Sequence, residues 1–200
     1  MKMICEHFAS TIPAGTILYR ARINKIDYAK SEHERIPFPP SEMGPPPQYI
    51  STSGRINPEG IPYLYCAGEL DTAGAELRPW KGAYLTIAEV KIRQDILVAD
   101  LTLDVHGTLG NSVNWENFFY DFADMFSMQW PPELKLNYLV TQFFAEHIKS
   151  AGCRGIRYKS EFNVGGNNYA LFHGDDYKII KTYTVETSDI SYFFYQRKDV

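Results

Sequence analysis

Cysteine is scarce in this chain: three in 200 residues, at positions 5, 66 and 153. None forms a Cys-x-x-Cys pair, so the sequence encodes neither a disulfide framework nor a zinc ribbon. Reduced thiols in a cytoplasmic protein are the simplest reading. The five histidines (His7, His33, His106, His147, His173) show no metal-ligand spacing, and no metal site is expected. Gly-x-Gly-x-x-Gly, the P-loop and the Gly-x-Ser-x-Gly elbow are all missing, which removes support for Rossmann, P-loop and serine-hydrolase readings. The opening MKMICEHFAS has no apolar stretch of the kind a secretory signal needs. No run approaches the ~20 apolar residues of a membrane span, so no membrane partner is expected. The net charge of -4 argues against a general nucleic-acid binder, yet leaves room for a local cationic pocket.

What is present is an ordinary soluble composition with many aromatics. Hydrophobic residues make up 44% and mean hydropathy is -0.30, values typical of a globular protein. Fourteen tyrosines and twelve phenylalanines favour a sheet-rich fold. The length suits one domain over residues 1–200 with a self-sufficient core.

Residues 16–23 (TILYRARI) alternate as a strand does, with Ile17, Tyr19, Ala21 and Ile23 on the face expected to meet the core. The other face would then present Arg20 and Arg22 side by side. Residues 24–60 are polar and rich in proline, excluding helix and central strand, and are expected to form a loop covering a site. A short strand at 63–67 and a helix at 69–78, stopped by Pro79, follow. Strands are expected at 83–92, 96–101, 155–159, 168–172 and 177–183, with an aromatic strand at 191–195. Helices are expected at 113–128 and roughly 132–150, the second with its apolar positions Leu136, Val140, Phe143, Phe144 and Ile148 on one face. Val164-Gly165-Gly166-Asn167-Asn168 reads as a turn. There is no regular βαβα alternation, so the expected class is α+β: one mixed, mostly antiparallel, β-rich domain with flanking helices.

The densest stretch is Gly54-Arg55-Ile56-Asn57-Pro58-Glu59-Gly60-Ile61-Pro62-Tyr63-Leu64-Tyr65-Cys66-Ala67, with Glu76 shortly after. Arginine, tyrosine and glutamate held together suit a ligand anionic at one end and aromatic or sugar-like at the other, such as a nucleotide. Taken singly, Arg20, Arg55, Tyr65, Glu76 and Ser160 are ordinary surface or core residues.

Their order carries more. Four segments follow one another: Leu18-Tyr19-Arg20-Ala21-Arg22; Gly54-Arg55-Ile56-Asn57-Pro58 leading into Tyr63-Leu64-Tyr65; Thr72-Ala73-Gly74-Ala75-Glu76-Leu77-Arg78-Pro79; and Gly155-Ile156-Arg157-Tyr158-Lys159-Ser160 followed by Asn168-Tyr169-Ala170-Leu171-Phe172. This series, spanning about residues 15–182, resembles the RES domain family, named for its Arg, Glu and Ser. The resemblance implies a fold similar to ADP-ribosyltransferases. It also implies a toxin of a type II toxin–antitoxin pair that breaks the nicotinamide–ribose bond of NAD+ by hydrolysis or phosphorolysis. NAD+ is then the substrate, with no bound cofactor, and the partner is a small helix-turn-helix antitoxin rather than nucleic acid itself. On that reading Glu76 stabilises the oxocarbenium-like ribose, and Arg20 and Arg55 grip the pyrophosphate. Tyr65 offers a flat face, with Asn57 beside it in the binding set, and Ser160 bonds the ribose or the nicotinamide amide. Thr141 and Gln142 are the alternative source of that late polar group. ADP-ribosyl transfer to a protein and a catalytically silent nucleotide-binding domain remain the competing readings. The proline-rich loop, about 35–47, is longer than a compact toxin of this family needs.

Overall fold

Period-two alternation recurs in separate segments of the chain. The structure, a computed structural model describing residues 8–27, 34–104 and 113–191, resolves that alternation into an eight-stranded sheet. Its strands are β1 (Ala9–Ile12), β2 (Ile17–Ile23), β5 (Leu64–Ala67), β6 (Tyr84–Ile92), β7 (Ile96–Asp100), β8 (Gly155–Lys159), β9 (Asn167–Leu171) and β10 (Tyr177–Glu186). They lie in the order β1-β7-β8-β9-β5-β2-β6-β10. Only β7 and β8 pair parallel; every other neighbour is antiparallel. The helices are α1 (Leu70–Ala75), α2 (Val113–Ser127) and α3 (Tyr138–Ser150). The architecture is therefore α+β with a mixed, mostly antiparallel sheet, as the alternation predicts. No helix among the described residues is long and apolar enough to cross a membrane.

Cross-strand register shows which side chains share a face, because paired residues point the same way. Ala99, Ile156, Ala170 and Tyr65 stand in one row across β7, β8, β9 and β5. They meet Phe119, Phe122 and Phe126 of α2 and Ala145 and Ile148 of α3 in the largest buried cluster. The opposite face carries Leu18, Leu64, Cys66, Val90, Val98 and Leu171. Ile12 of β1 and Ile179 of β10, from the two ends of the sheet, join that same cluster, so the sheet curls around it.

Several expectations need correction. Residues 132–137 form a 3-10 turn before α3 rather than its first turns. The inward face of α3 is Tyr138, Thr141, Gln142, Ala145 and Ile148, while Leu136, Val140 and Phe143 are exposed. A 3-10 turn advances three residues per turn rather than 3.6, which breaks the phase of a stripe drawn from Leu136 onward. The face that meets the protein is chosen partly by Thr141 and Gln142, whose polar groups bond a neighbouring loop. The face of β2 bearing Arg20 and Arg22 is not simply outward: Leu18 on it is 1% exposed and belongs to the inner cluster. The proline-rich segment is also more ordered than a free covering loop. β3 (Lys25–Asp27) and β4 (Glu34–Ile36) form a small ladder, 3-10 turns follow at Pro40–Glu42 and Gln48–Ile50, and Met43 is fully buried. Arg22 ties this segment down by donating to the Glu42 carbonyl (2.7 Å), with the Phe38 ring 5.0 Å from its guanidinium. The aromatic strand expected at 191–195 lies, from residue 192 on, outside the described residues.

Candidate active site

The sheet is least continuous between β2 and β5. They share one bridged position, Tyr19 opposite Ala67. By contrast, β2 pairs with β6 over seven positions and β5 with β9 over four. Past that single pair lies a cavity of ≈ 360 Å³, walled by Tyr19 to Arg22 of β2, Tyr65 to Ala67 of β5, and by Arg55, Glu76, Gln129, Tyr158 and Asn168. This volume is in the range of small-molecule sites.

Arg20 straps the seam. Its Nη1 donates to the Tyr65 carbonyl at 3.0 Å, so a side chain takes the place of a ladder hydrogen bond. Its Nε is buried and has no partner among the described residues. Burial lowers the pKa of this guanidinium from its ordinary value. No carboxylate of the described residues lies in ion-pair contact with Arg20 or Arg55. A cation withdrawn from water without a counter-charge is costly, and an anionic ligand would relieve that cost.

Glu76 stands on another wall, where α1 ends. The chain leaves the helix through Arg78 at φ 48, a left-handed turn, and Pro79 prevents any continuation. The Glu76 carboxylate is held by neutral donors. Ser160 Oγ donates to Oε1 at 2.7 Å and Asn168 Nδ2 to the same oxygen at 2.6 Å, while Gln129 Nε2 reaches Oε2 only at 3.5 Å. Ser160 in turn accepts the amides of Phe162 (3.2 Å) and Asn163 (3.1 Å), which fixes its hydroxyl toward Glu76.

The Arg55 loop is built around the Tyr65 hydroxyl. That hydroxyl accepts the amides of Ile56 and Asn57, each at 3.2 Å, and donates to Asn57 Oδ1 at 2.8 Å. Burial pushes the Tyr65 pKa up to about 12, keeping it a donor. Asn57 Nδ2 bonds the carbonyls of Thr52 and Pro58. From α3, the Thr141 hydroxyl donates to the Arg55 carbonyl, and Gln142 Nε2 donates to Ser53 Oγ (2.8 Å) and to the Gly54 carbonyl (2.7 Å). Arg55 Nη1 closes the C-terminus of α2 through the carbonyls of Phe126 (3.0 Å) and Ser127 (2.8 Å). Its guanidinium also lies 5.5 Å from the Tyr158 ring centre.

Of the residues singled out from sequence, Arg20, Arg55, Tyr65 and Glu76 line the cavity. Asn57, Thr141 and Ser160 do not line it; their polar atoms hold the Arg55 loop and Glu76 in place. Sequence reasoning missed Asn168, Gln129 and Tyr158 as site residues. Asn168 carries a usable signal: asparagine is a poor strand residue, and inside a strand it needs a reason to be there. Gln129, in the connection after α2, carries none.

Cys66 also lines the cavity, but burial pushes its pKa up to about 12, which leaves an inert thiol. No group of three or more His, Cys, Asp or Glu among the described residues is placed to hold a metal. A larger cavity of ≈ 640 Å³ lies on the other side of α1. Its four charged residues, Asp71, Arg78, Glu186 and Asp189, are all exposed, whereas Arg20 and Glu76 are drawn partly inside. The smaller cavity is therefore the better reaction site.

Gly54 shows how tightly the loop is drawn. A Cβ there would stand 2.3 Å from Asn57 Oδ1 and 3.2 Å from the Tyr65 hydroxyl. Gly54→Ala is expected to destabilise the protein by about 1–3 kcal/mol, the usual cost of forcing extra volume into a packed site. Urea denaturation would read this as a lower midpoint, and an unchanged midpoint would show that the loop is looser than described.

The model of the RES domain family matches residues 17–192. The comparison with curated proteins gives no match. Among solved structures, the chain is similar in fold to one from the M. tuberculosis MbcT–MbcA toxin–antitoxin complex. The TM-score is 0.54 at 13% identity, over 93% of this chain and 92% of that one.

Proposed function

The chain belongs to the RES domain family, and from that membership and the cavity together we propose that it consumes NAD+ by breaking the nicotinamide–ribose bond. The observation that carries this reading is the separation of charge across the cavity. Arg20, a part-buried cation with an unused donor and no carboxylate partner among the described residues, lies on one wall, and Glu76, held by neutral donors, lies on another.

NAD+ offers groups that complement both. Its pyrophosphate is anionic and suits the arginine side, where Arg55 adds a second guanidinium. Its nicotinamide ribose becomes positively charged as the bond breaks and suits a carboxylate. In the reaction, the C1′–N bond breaks with its electron pair moving to the pyridinium ring, which leaves neutral nicotinamide. An oxygen of inorganic phosphate or of water forms the new bond to C1′, and an attacking water gives up one proton to solvent. Glu76 Oε2 faces the developing charge and a ribose hydroxyl. Tyr65 and Tyr158 supply flat walls for the rings.

The fold shared with a protein from a toxin–antitoxin complex supports the further reading that this chain is the toxin of such a pair. Its partner would be a cognate antitoxin, a small helix-turn-helix protein. Depletion of NAD+ would be the toxic act.

Chromatography of NAD+ incubated with the purified protein, with and without phosphate, tests the chemistry. Nicotinamide is expected, accompanied by ADP-ribose for hydrolysis or by its 1″-phosphate when phosphate is required. Label passing from NAD+ to a protein band would replace this reading with ADP-ribosyl transfer. Intact NAD+ under every condition would overturn it.

A further inference from the structure

We propose that Asn168 is a positioning residue that fixes the orientation of the Glu76 carboxylate so that one oxygen faces the cavity, an inference that rests on the reading of Glu76 given above. Asn168 lies within β9, opposite Ala67 on one side and Tyr158 on the other, and only 3% of it is exposed. A buried amide in a strand costs stability unless its hydrogen bonds are met. Here the bond is short: Nδ2 donates to Glu76 Oε1 at 2.6 Å.

The arrangement on Glu76 is uneven. Oε1 receives both Asn168 and Ser160, at 2.6 and 2.7 Å, whereas among the described residues Oε2 has only Gln129 at 3.5 Å. A carboxylate oxygen has two lone pairs, so Oε1 is fully occupied and Oε2 is the oxygen left for a ligand. The terminal torsion of glutamate is soft and nearly two-fold, so one donor alone leaves the group free to turn. Ser160 cannot supply the second anchor. It has a single proton, and its lone pairs already accept Phe162 and Asn163. Two donors from different segments, the loop after β8 and the strand β9, are needed to stop the rotation.

This role has a signature that separates it from simple support of the fold. A residue acting through Glu76 loses its effect when Glu76 no longer carries its charge. Asn168→Leu is expected to lower kcat by about tenfold to a hundredfold, the usual penalty for misplacing a reacting group, with little change in KM. In a Glu76→Gln background the same substitution is expected to add almost nothing, so the double-mutant cycle is strongly non-additive. Asn168→Asp keeps the volume and replaces the donor with an acceptor, so it is expected to show the same loss if the leucine variant fails to fold.

Crystal structures of Asn168→Leu and Asn168→Asp complete the test without relying on turnover. The Glu76 carboxylate is expected to rotate away from its position in the wild type. A Glu76 left in place in both variants, or additive losses in the cycle, would overturn the positioning role. If Glu76 moves but the wild type leaves NAD+ intact, the positioning stands and the NAD+ reading falls instead.

Discussion

Glu76→Gln is expected to slow nicotinamide release by about a hundredfold to a thousandfold, the scale of losing one charge-stabilising group at a reacting centre. The protein should stay folded. Glutamine matches glutamate in shape, and its carbonyl oxygen can keep both short bonds from Ser160 and Asn168. Its amide nitrogen then takes the place of Oε2 and faces the cavity with no charge. The ground state of NAD+ makes little use of that charge, so KM should change far less than kcat. Initial rates over a range of NAD+ concentrations, beside a melting curve, would show this pattern. A variant that keeps most of the wild-type rate would remove Glu76 from the chemistry.

Arg20→Met should produce the opposite split and a second defect. The guanidinium is read as a pyrophosphate ligand, and losing one charge-assisted bond costs about 1.5–3 kcal/mol of binding, or roughly tenfold to a hundredfold in KM. The same guanidinium also satisfies the Tyr65 carbonyl across the seam between β2 and β5. Without it that carbonyl loses its partner, at a cost of about 1–3 kcal/mol of stability. Weaker NAD+ binding and a lower melting temperature should therefore appear together. Arg20→Lys restores the charge but not the planar fork, so it should recover part of the binding and little of the stability. If Arg20→Met binds NAD+ as tightly as wild type, the arginine is a strap and nothing more.

These two residues also show how far sequence reasoning reached. Alternation in TILYRARI is a local signal, and it placed Arg20 on a strand correctly. Glu76 is expected inside a helix running to Arg78; the helix ends at Ala75 and Glu76 caps it. The seam that makes Arg20 useful depends on which strands become neighbours. β2 and β5 are separated by the whole proline-rich segment, and nothing local to either predicts that they share only one pair. Asn57 and Thr141 illustrate a different limit. Both are polar residues in elements that surround the cavity, and a polar side chain looks the same in sequence whether it faces a ligand or a backbone carbonyl. In the folded chain the Asn57 amide nitrogen and the Thr141 hydroxyl both donate to backbone carbonyls.

The exposed stripe on α3 has the same origin. Val140 and Phe143 lie on the outward face of α3, and Leu136, in the 3-10 turn before it, is exposed as well. The inward face combines Tyr138, Ala145 and Ile148 with Thr141 and Gln142, whose side chains donate to the carbonyls of Arg55 and Gly54. Hydrophobic periodicity alone cannot register those hydrogen bonds. The family resemblance reached Ser160 by another route, and the geometry sharpens it: the serine bonds Glu76 and its own loop without lining the cavity.

The central claim is that one carboxylate, opposed to arginines with no carboxylate partner among the described residues, breaks one bond of NAD+. The most direct measurement is the time course of nicotinamide release from NAD+, followed by proton NMR, for purified wild type and Glu76→Gln side by side. The account predicts one nicotinamide for each NAD+ consumed by the wild type, and almost none from a folded Glu76→Gln protein that still binds NAD+. Intact NAD+ with the wild type, or equal release by both proteins, would contradict it.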